Sequence, residues 1–267
     1  MIVMSISLEK KLKKSLSQNF LINSNIASAI VALGCYNENV VLLEIGCGKG
    51  ALTQFLFNQK KKSYHIVELD GRWAKYIYEE YKNKVNQFFV HNENILDYHL
   101  FENERYIIVG NIPYHITCPI IEKLFLWFHN IDQAIIMMQE EVAQKIAKRG
   151  GSSYGPLSVV AQLLFDIELS LKIESEYFIP QPKVNSRIVI FKKKLEQKLI
   201  SEDYIFFRKY IAGFFSFPRK KIKHQGLPSC ILQSLTETQK NLRAQEISPD
   251  EFLVLYCQYR KLLLEKN

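Results

Sequence analysis

Val40-Val41-Leu42-Leu43-Glu44-Ile45-Gly46-Cys47-Gly48-Lys49-Gly50 is the stretch whose reading decides the fold. Its first four residues are all apolar, the composition of a buried strand. Glu44 and Ile45 carry that run into glycines at alternate positions. Glycine lets a backbone turn sharply and approach a ligand closely. Ala51 to Phe57 then has the composition of a helix. A strand, a glycine loop and a helix open a nucleotide-binding α/β unit, whose ligands sit beyond the C-terminal ends of the strands. The spacing is G-x-G-x-G, not the G-x-G-x-x-G of a dinucleotide site, and no G-K-[ST] of a P-loop follows.

Downstream, the strand His65 to Asp70 carries Glu68, about twenty residues beyond the first glycine, where a carboxylate commonly accepts from ribose hydroxyls. The competing reading is that Glu68 caps the helix beginning near Arg72. With the acidic Glu44 ahead of it, the loop resembles the first motif of S-adenosylmethionine-dependent methyltransferases. An amphipathic helix, Arg72 to Tyr81, has Ile77 and Tyr81 on one face. The strand Gln87 to Val90 leads to Glu93 at a third strand end. A carboxylate there can accept from the adenine amino group of an adenosine-containing cofactor, or simply cap a turn.

A fourth apolar run, Tyr106 to Val109, delivers Gly110-Asn111-Ile112-Pro113-Tyr114. The exocyclic nitrogen of adenine is a poor nucleophile, because its lone pair is spread into the ring. The side-chain oxygen of Asn111 and the backbone carbonyl of Ile112 offer two acceptors that would localise that lone pair and aim it. Pro113 stiffens the loop, and Tyr114 offers a face for stacking. The bland alternative is a Pro-terminated turn with Asn as turn former.

A helix is expected from Pro119 to Phe128, a buried strand at Ala134 to Met138, and a helix from Glu140 to Arg149 stopped by Gly150-Gly151. Tyr177 to Ser186 holds two prolines and reads as a stiff extended loop. Its Phe178 is placed opposite Tyr114 across a flipped base, with core burial as the alternative. Arg187 to Phe191 is a last strand. Lys192-Lys193-Lys194 marks a boundary, and a helical pattern follows from about Ile200, with Phe206, Tyr210 and Phe214 at four-residue spacing. Pro218 to His224 is a basic cluster with an apolar insert. Upstream, Ser24 reads as the N-cap of a helix ending near Gly34, and Met1 to Ser15 as a basic arm.

The 267 residues suit one large domain and a small one, with 48% hydrophobic content for a core. A net charge of +8 favours a polyanionic partner. The five cysteines form no C-x-x-C pair, and an odd number argues against a disulfide framework, so a reducing compartment is expected. No signal peptide, membrane span or metal-ligand spacing is expected.

The ordered series Ser17 to Leu21, Glu44 to Thr53, Val67 to Asp70, Gly110 to Tyr114, Tyr154 to Val159 and Phe178 to Ser186 resembles the rRNA adenine N6-dimethyltransferases, and within them the small-subunit (16S) branch. The resemblance covers roughly Lys14 to Leu255. It implies an α/β, Rossmann-like S-adenosylmethionine-dependent methyltransferase domain over residues 17–194. A basic arm (1–16) precedes it and a small C-terminal α-helical, RNA-contacting domain (195–267) follows. It implies S-adenosyl-L-methionine held by Asn19, Leu21, Gly46, Glu68, Glu93 and Asn111. Catalysis falls to Asn111, Ile112, Pro113, Tyr114 and Phe178, and RNA contact to Arg219, Lys220 and Lys221. The reaction implied is N6-dimethylation of two adjacent adenines in the 3′-terminal hairpin of small-subunit rRNA. The partner is an immature 30S-type particle, and the expected protein is a cytoplasmic monomer without metal or membrane.

Several positions depart from the family pattern: Cys47 for Pro, Glu93 and Asn185 for Asp, Pro156 and Pro218 for Arg, and Gln245 for an acid. Ser17 to Phe20, Gly48 to Gly50, Gly110 to Tyr114 and Pro182 to Ser186 also look like the Erm enzymes, which methylate large-subunit (23S) rRNA and confer macrolide resistance. Met138 to Ala143, Tyr154 to Val159, Arg219 to Lys221 and Arg243-Ala244 favour the small-subunit branch. A reading of another class is an RNA-binding ribosome assembly factor in which methylation is secondary.

Overall fold

A computed structural model of the chain describes residues 18–84, 86–194 and 201–264. The basic arm expected over residues 1–16 lies outside them. The strands are Phe20–Leu21 (β1), Val41–Ile45 (β2), Ser63–Val67 (β3), Phe88–His91 (β4), Tyr106–Asn111 (β5), Ile131–Gln139 (β6), Phe165–Ile173 (β7), Phe178–Ile179 (β8) and Ser186–Lys193 (β9). The helices are Ser24–Val31 (α1), Thr53–Leu56 (α2), Gly71–Tyr81 (α3), Thr117–Leu126 (α4), Glu140–Ala147 (α5), Pro156–Leu164 (α6), Ser201–Phe214 (α7), Ser229–Gln233 (α8), Glu237–Asn241 (α9) and Pro249–Leu264 (α10).

The apolar run at Val40 forms the central strand. β2 is buried at every position and lies parallel to β3 on one side and β5 on the other, with Leu43 opposite His65 and Ile108. The full order is β4-β3-β2-β5-β6-β9-β7. The chain therefore leaves β2 outward through β3 and β4, then returns to β5 on the opposite side. The loops after β2 and β5 diverge at this reversal, and the crevice between them is where an open α/β sheet binds its ligand. Separately, β1 pairs antiparallel with β8, Leu21 opposite Phe178, which brings the segment before α1 against the Pro-rich loop.

Contacts divide the described residues into two units. One takes the chain up to Lys123 with Asn130–Glu140 and Leu169–Ile190. The other takes Leu124–His129, Glu141–Glu168 and the chain from Phe191 onward. The boundary expected at Lys192–Lys194 thus lies close to one crossing, but the second unit also takes α6 and most of α5. Burial explains this. Ser158 through Leu164 of α6 are all buried; a helix apolar all round needs cover on all sides. Within its unit α6 packs against α7 and α10.

The aromatic stripe of α7 also differs from the expected one. Phe206 is 59% exposed, whereas Phe207, Tyr210, Ile211 and Phe214 are buried. That set follows the i, i+3, i+4, i+7 rule, which four-residue steps alone drift away from. Phe207 meets Tyr256 at 5.2 Å and Phe214 meets Phe252 at 5.4 Å, joining α7 to α10. Strand β7 is absent from the sequence reading above, although Phe-Asp-Ile-Glu-Leu-Ser-Leu-Lys-Ile alternates strictly. Among the described residues no helix is long and apolar enough to cross a membrane.

Candidate active site

The glycine loop is built from left-handed backbone. Gly46, Gly48 and Gly50 have φ of +71°, +49° and +85°, a region that a Cβ makes costly. Gly46 N donates to Val67 O at 2.9 Å, and Gly50 N to Cys47 O at 2.8 Å. The loop is thereby folded back onto the end of β3.

Glu68 completes that tie. Its Oε2 accepts from Gly48 N at 3.0 Å and its Oε1 from Asp70 N at 2.8 Å. It does not cap α3: Asp70 does, accepting from Arg72 N at 3.1 Å. Glu68 is 4% exposed, and burial raises its carboxyl above the ordinary range against the pull of the two backbone bonds. Oε2 also accepts from Cys47 Sγ at 3.7 Å, so the lone pair left over is on Oε1.

Glu44 lies beneath the loop, 1% exposed. Thr53 Oγ1 donates to it at 2.9 Å, and the Tyr64 hydroxyl donates as well. Burial pushes its carboxyl up to about 7, the hydroxyl donors pull down, and the nearby Glu68 pushes up again.

Across the crevice, Asn111 is the last residue of β5 and half-buried. Its Nδ2 donates to Asn19 O at 3.1 Å. That bond fixes the amide plane and turns Oδ1, the acceptor end, away from Asn19. Ile112 is buried, Pro113 has φ of −61°, and Tyr114 opens a short 3-10 turn. The Tyr114 hydroxyl lies 2.7 Å from Ser186 Oγ. Burial raises the phenol above its ordinary value, and the Ser186 bond opposes that rise.

Of the residues singled out in the sequence, Asn19, Leu21, Gly46, Glu68, Asn111, Ile112, Pro113 and Tyr114 line one cavity. Gln18, Glu44, Cys47, Gly48 and Lys49 line it too. Gln18 and Lys49 carry no separate signal beyond membership of the Ser-Gln-Asn-Phe and Gly-Lys-Gly series. Lys49 stands over the Phe20 ring at 5.2 Å.

Other expected site residues lie elsewhere. Phe178 does not line the cavity: it is 2% exposed, inside the core cluster with Leu21 and Ile188. Pairing with β1 turns its side chain inward and leaves Ile179 exposed at 48%, as strand alternation requires. Glu93 follows β4 but does not line the cavity. Its side chain is 43% exposed, 4.0 Å from His91 Nδ1, while the neighbouring Asn92 reaches Glu68 O at 2.9 Å.

In the second unit, Arg219, Lys220 and Lys221 are exposed on a turn. The buried Gln225 organises that turn, accepting from Phe217 N at 2.8 Å and donating to Phe217 O and Lys220 O at 2.7 and 3.0 Å. Lys220 Nζ lies 4.4 Å over the exposed Phe217 ring, and Lys221 bridges to Arg243.

The sequence profile of the ribosomal RNA adenine dimethylases matches residues 9–261. The chain is 34% identical over 256 residues to a Ribosomal RNA small subunit methyltransferase A of Francisella tularensis subsp. novicida, across 92% of this chain and 96% of that one. A dimethyladenosine transferase from Plasmodium falciparum superposes with a TM-score of 0.78 at 23% identity, over 91% of this chain and 98% of that one. The 23S rRNA methyltransferase ErmE superposes with a TM-score of 0.69 at 24% identity, over 91% and 100%. The two structures share the fold, and the profile covers nearly the whole sequence. The chain belongs to the ribosomal RNA adenine dimethylase family.

Proposed function

We propose that this protein dimethylates the N6 amino groups of two adjacent adenines in the 3′-terminal hairpin of small-subunit rRNA, with S-adenosyl-L-methionine as methyl donor. The observation that carries the reading is the Asn111 amide, oriented by Asn19 at the switch point of the sheet, beside Gly46 and Glu68. The choice of the small subunit rests on the 34% identity to relatives named for that target, over nearly their whole length.

The cavity suits an adenosine-containing cofactor. Glu68 keeps acceptor capacity for ribose hydroxyls, and the glycine loop exposes backbone where a Cβ would intrude. Gln18 Oε1 is buried in the cavity wall without a hydrogen-bond partner among the described residues, an acceptor that a ligand N–H or O–H would satisfy. Asn19, Leu21, Gly46, Glu68 and Asn111 would hold the cofactor. Bound there, S-adenosylmethionine supplies an electrophilic sulfonium methyl.

The chain's own part is positioning. Asn111 Oδ1 and the Ile112 carbonyl accept the N–H groups of the target and direct its lone pair. Tyr114 stacks on the base, which must leave its helix to reach the pocket. Because Phe178 is in the core, this stacking falls to Tyr114. Arg219, Lys220 and Lys221 supply phosphate contacts, and the substrate is a late, immature small-subunit particle.

The test is transfer of labelled methyl to small subunits lacking the dimethyl marks, in parallel with protein-free large-subunit rRNA. Label recovered as N6,N6-dimethyladenosine in the small-subunit hairpin is the expected outcome. Label only on large-subunit RNA makes the protein an Erm-type enzyme, and tight binding without label makes it an assembly factor. Asn111→Ala is expected to lower transfer by about a hundredfold or more while RNA binding is retained.

A further inference from the structure

The Phe178-to-Ser186 series is left without a task once Phe178 is placed in the core. Its far end lies against the catalytic loop. We infer that Ser186 is a positioning residue for Tyr114, its hydroxyl fixing the phenol so that the ring is already set when the target base arrives. The inference rests on the reading that Tyr114 receives that base.

Ser186 is fully buried, and its Oγ lies 2.7 Å from the Tyr114 hydroxyl, across 72 residues of sequence. The neighbours of Ser186 are clamped on both sides. Asn185 Oδ1 accepts from Ser175 N at 3.0 Å, and Asn185 O accepts from Glu140 N at 3.0 Å. Arg187 forks onto Glu140, Nε to Oε2 at 2.8 Å and Nη2 to Oε1 at 2.9 Å, and its Nη1 donates to Ser170 O at 2.9 Å. Bidentate Arg–carboxylate pairs add geometric specificity as well as energy. The Ser186 hydroxyl is therefore a fixed point.

Tyr114 approaches from a loop with one stiff residue, Pro113, and a single 3-10 turn. Its carbonyl accepts from Thr117 N at the start of α4, which orders the backbone but leaves the ring free to turn, so the tip of the ring needs a tether to hold its plane. A ring held in place before the base arrives does not lose orientational freedom on binding, which is how preorganisation improves both affinity and rate. With Phe178 in the core, the orientation of Tyr114 has greater weight.

The test is a double-mutant cycle with Ser186→Ala and Tyr114→Phe, measured as methyl transfer to unmarked small subunits. S-adenosylhomocysteine titration and thermal unfolding are read alongside. Each single variant is expected to lower kcat/KM about fivefold, the worth of one buried hydrogen bond. The double variant should be no worse than either single one, because both remove the same bond. S-adenosylhomocysteine affinity should stay at the parental value, and Ser186→Thr, which keeps a hydroxyl, should recover most of the rate.

Losses that multiply in the double variant overturn the inference. So does a fall in cofactor affinity matching the fall in rate, which would make Ser186 a general support of the fold. Tyr114→Ala separates the two readings. If it abolishes transfer while Tyr114→Phe and Ser186→Ala match the parent, the ring matters and the tether does not. If Tyr114→Ala transfers as well as the parent, the stacking reading fails and the tether with it.

Discussion

Glu68 shows how much one side chain carries. Its two oxygens hold the glycine loop at Gly48 and the turn into α3 at Asp70, and the same carboxylate faces the cavity. Glu68→Gln replaces one oxygen with an amide that only donates, so one of the two backbone N–H groups then meets a donor. Hydrogen bonds to a charged acceptor are worth about 1.5–3 kcal/mol. S-adenosylhomocysteine affinity, followed by calorimetric titration, is expected to fall at least about tenfold; parental affinity would remove Glu68 from the site. Glu68 was legible in the sequence because an acid at a strand end past a glycine loop has few other uses. The choice between ribose acid and helix cap was not, since Asp70 stands two residues on and either can cap. Phe178 was illegible in another way: an aromatic in a Pro-rich loop has the same local pattern whether it faces a ligand or the core. Only its pairing with Leu21 decides, and that partner is far away in sequence.

At the scale of elements, the loop after β2 and the two-residue strand β1 have to be considered together. A Cβ on Gly48 would lie 2.9 Å from Phe20 Cε1 and 3.1 Å from Cδ1. Phe20 cannot swing away cheaply. Its backbone pairs with Ile179, and its ring meets Trp73 edge-on at 5.5 Å. Gly48→Ala therefore combines a left-handed backbone, φ +49°, with a clash against a pinned ring. A destabilisation of about 1–3 kcal/mol is expected in urea unfolding, together with weakened S-adenosylhomocysteine binding, because the Gly48 N–H that holds Glu68 shifts with the loop. An unchanged unfolding midpoint would show that β1 gives way instead. The long strands were readable because a buried parallel strand is a continuous apolar run. The β1–β8 ladder was not, since two residues have no period. Nor was the membership of α6 in the second unit, which depends on what covers its far side.

For the molecule as a whole, the response of stability to pH joins groups that share no contact. Glu44 is raised by burial from 4.5 to about 7. Between those values the native chain keeps a proton that the unfolded chain has released. Its contribution is full below about pH 4.5 and is lost as pH rises to about 7. His65 runs the other way. Burial first, then the facing His91, lowers it from 6.5 to about 4, with Glu104 opposing. Between pH 4 and 6.5 the unfolded chain takes up a proton that the native ring refuses, so stability rises with pH across that window. The two slopes are opposite and overlap from about pH 4.5 to 6.5, so in the parent they largely cancel. Separating them is the test. Relative to the parent, Glu44→Gln should show a melting temperature that climbs with pH through the overlap, since the His65 slope is left alone. His65→Asn should show one that declines with pH between about 4 and 6.5, the window of the slope it has lost. The remaining titrations form a common background in all three proteins and drop out of the differences. Two difference curves of opposite sign are the expected result. Flat ones would mean that neither buried group changes its protonation on folding, and that the cavity floor under the glycine loop is ionised at neutral pH.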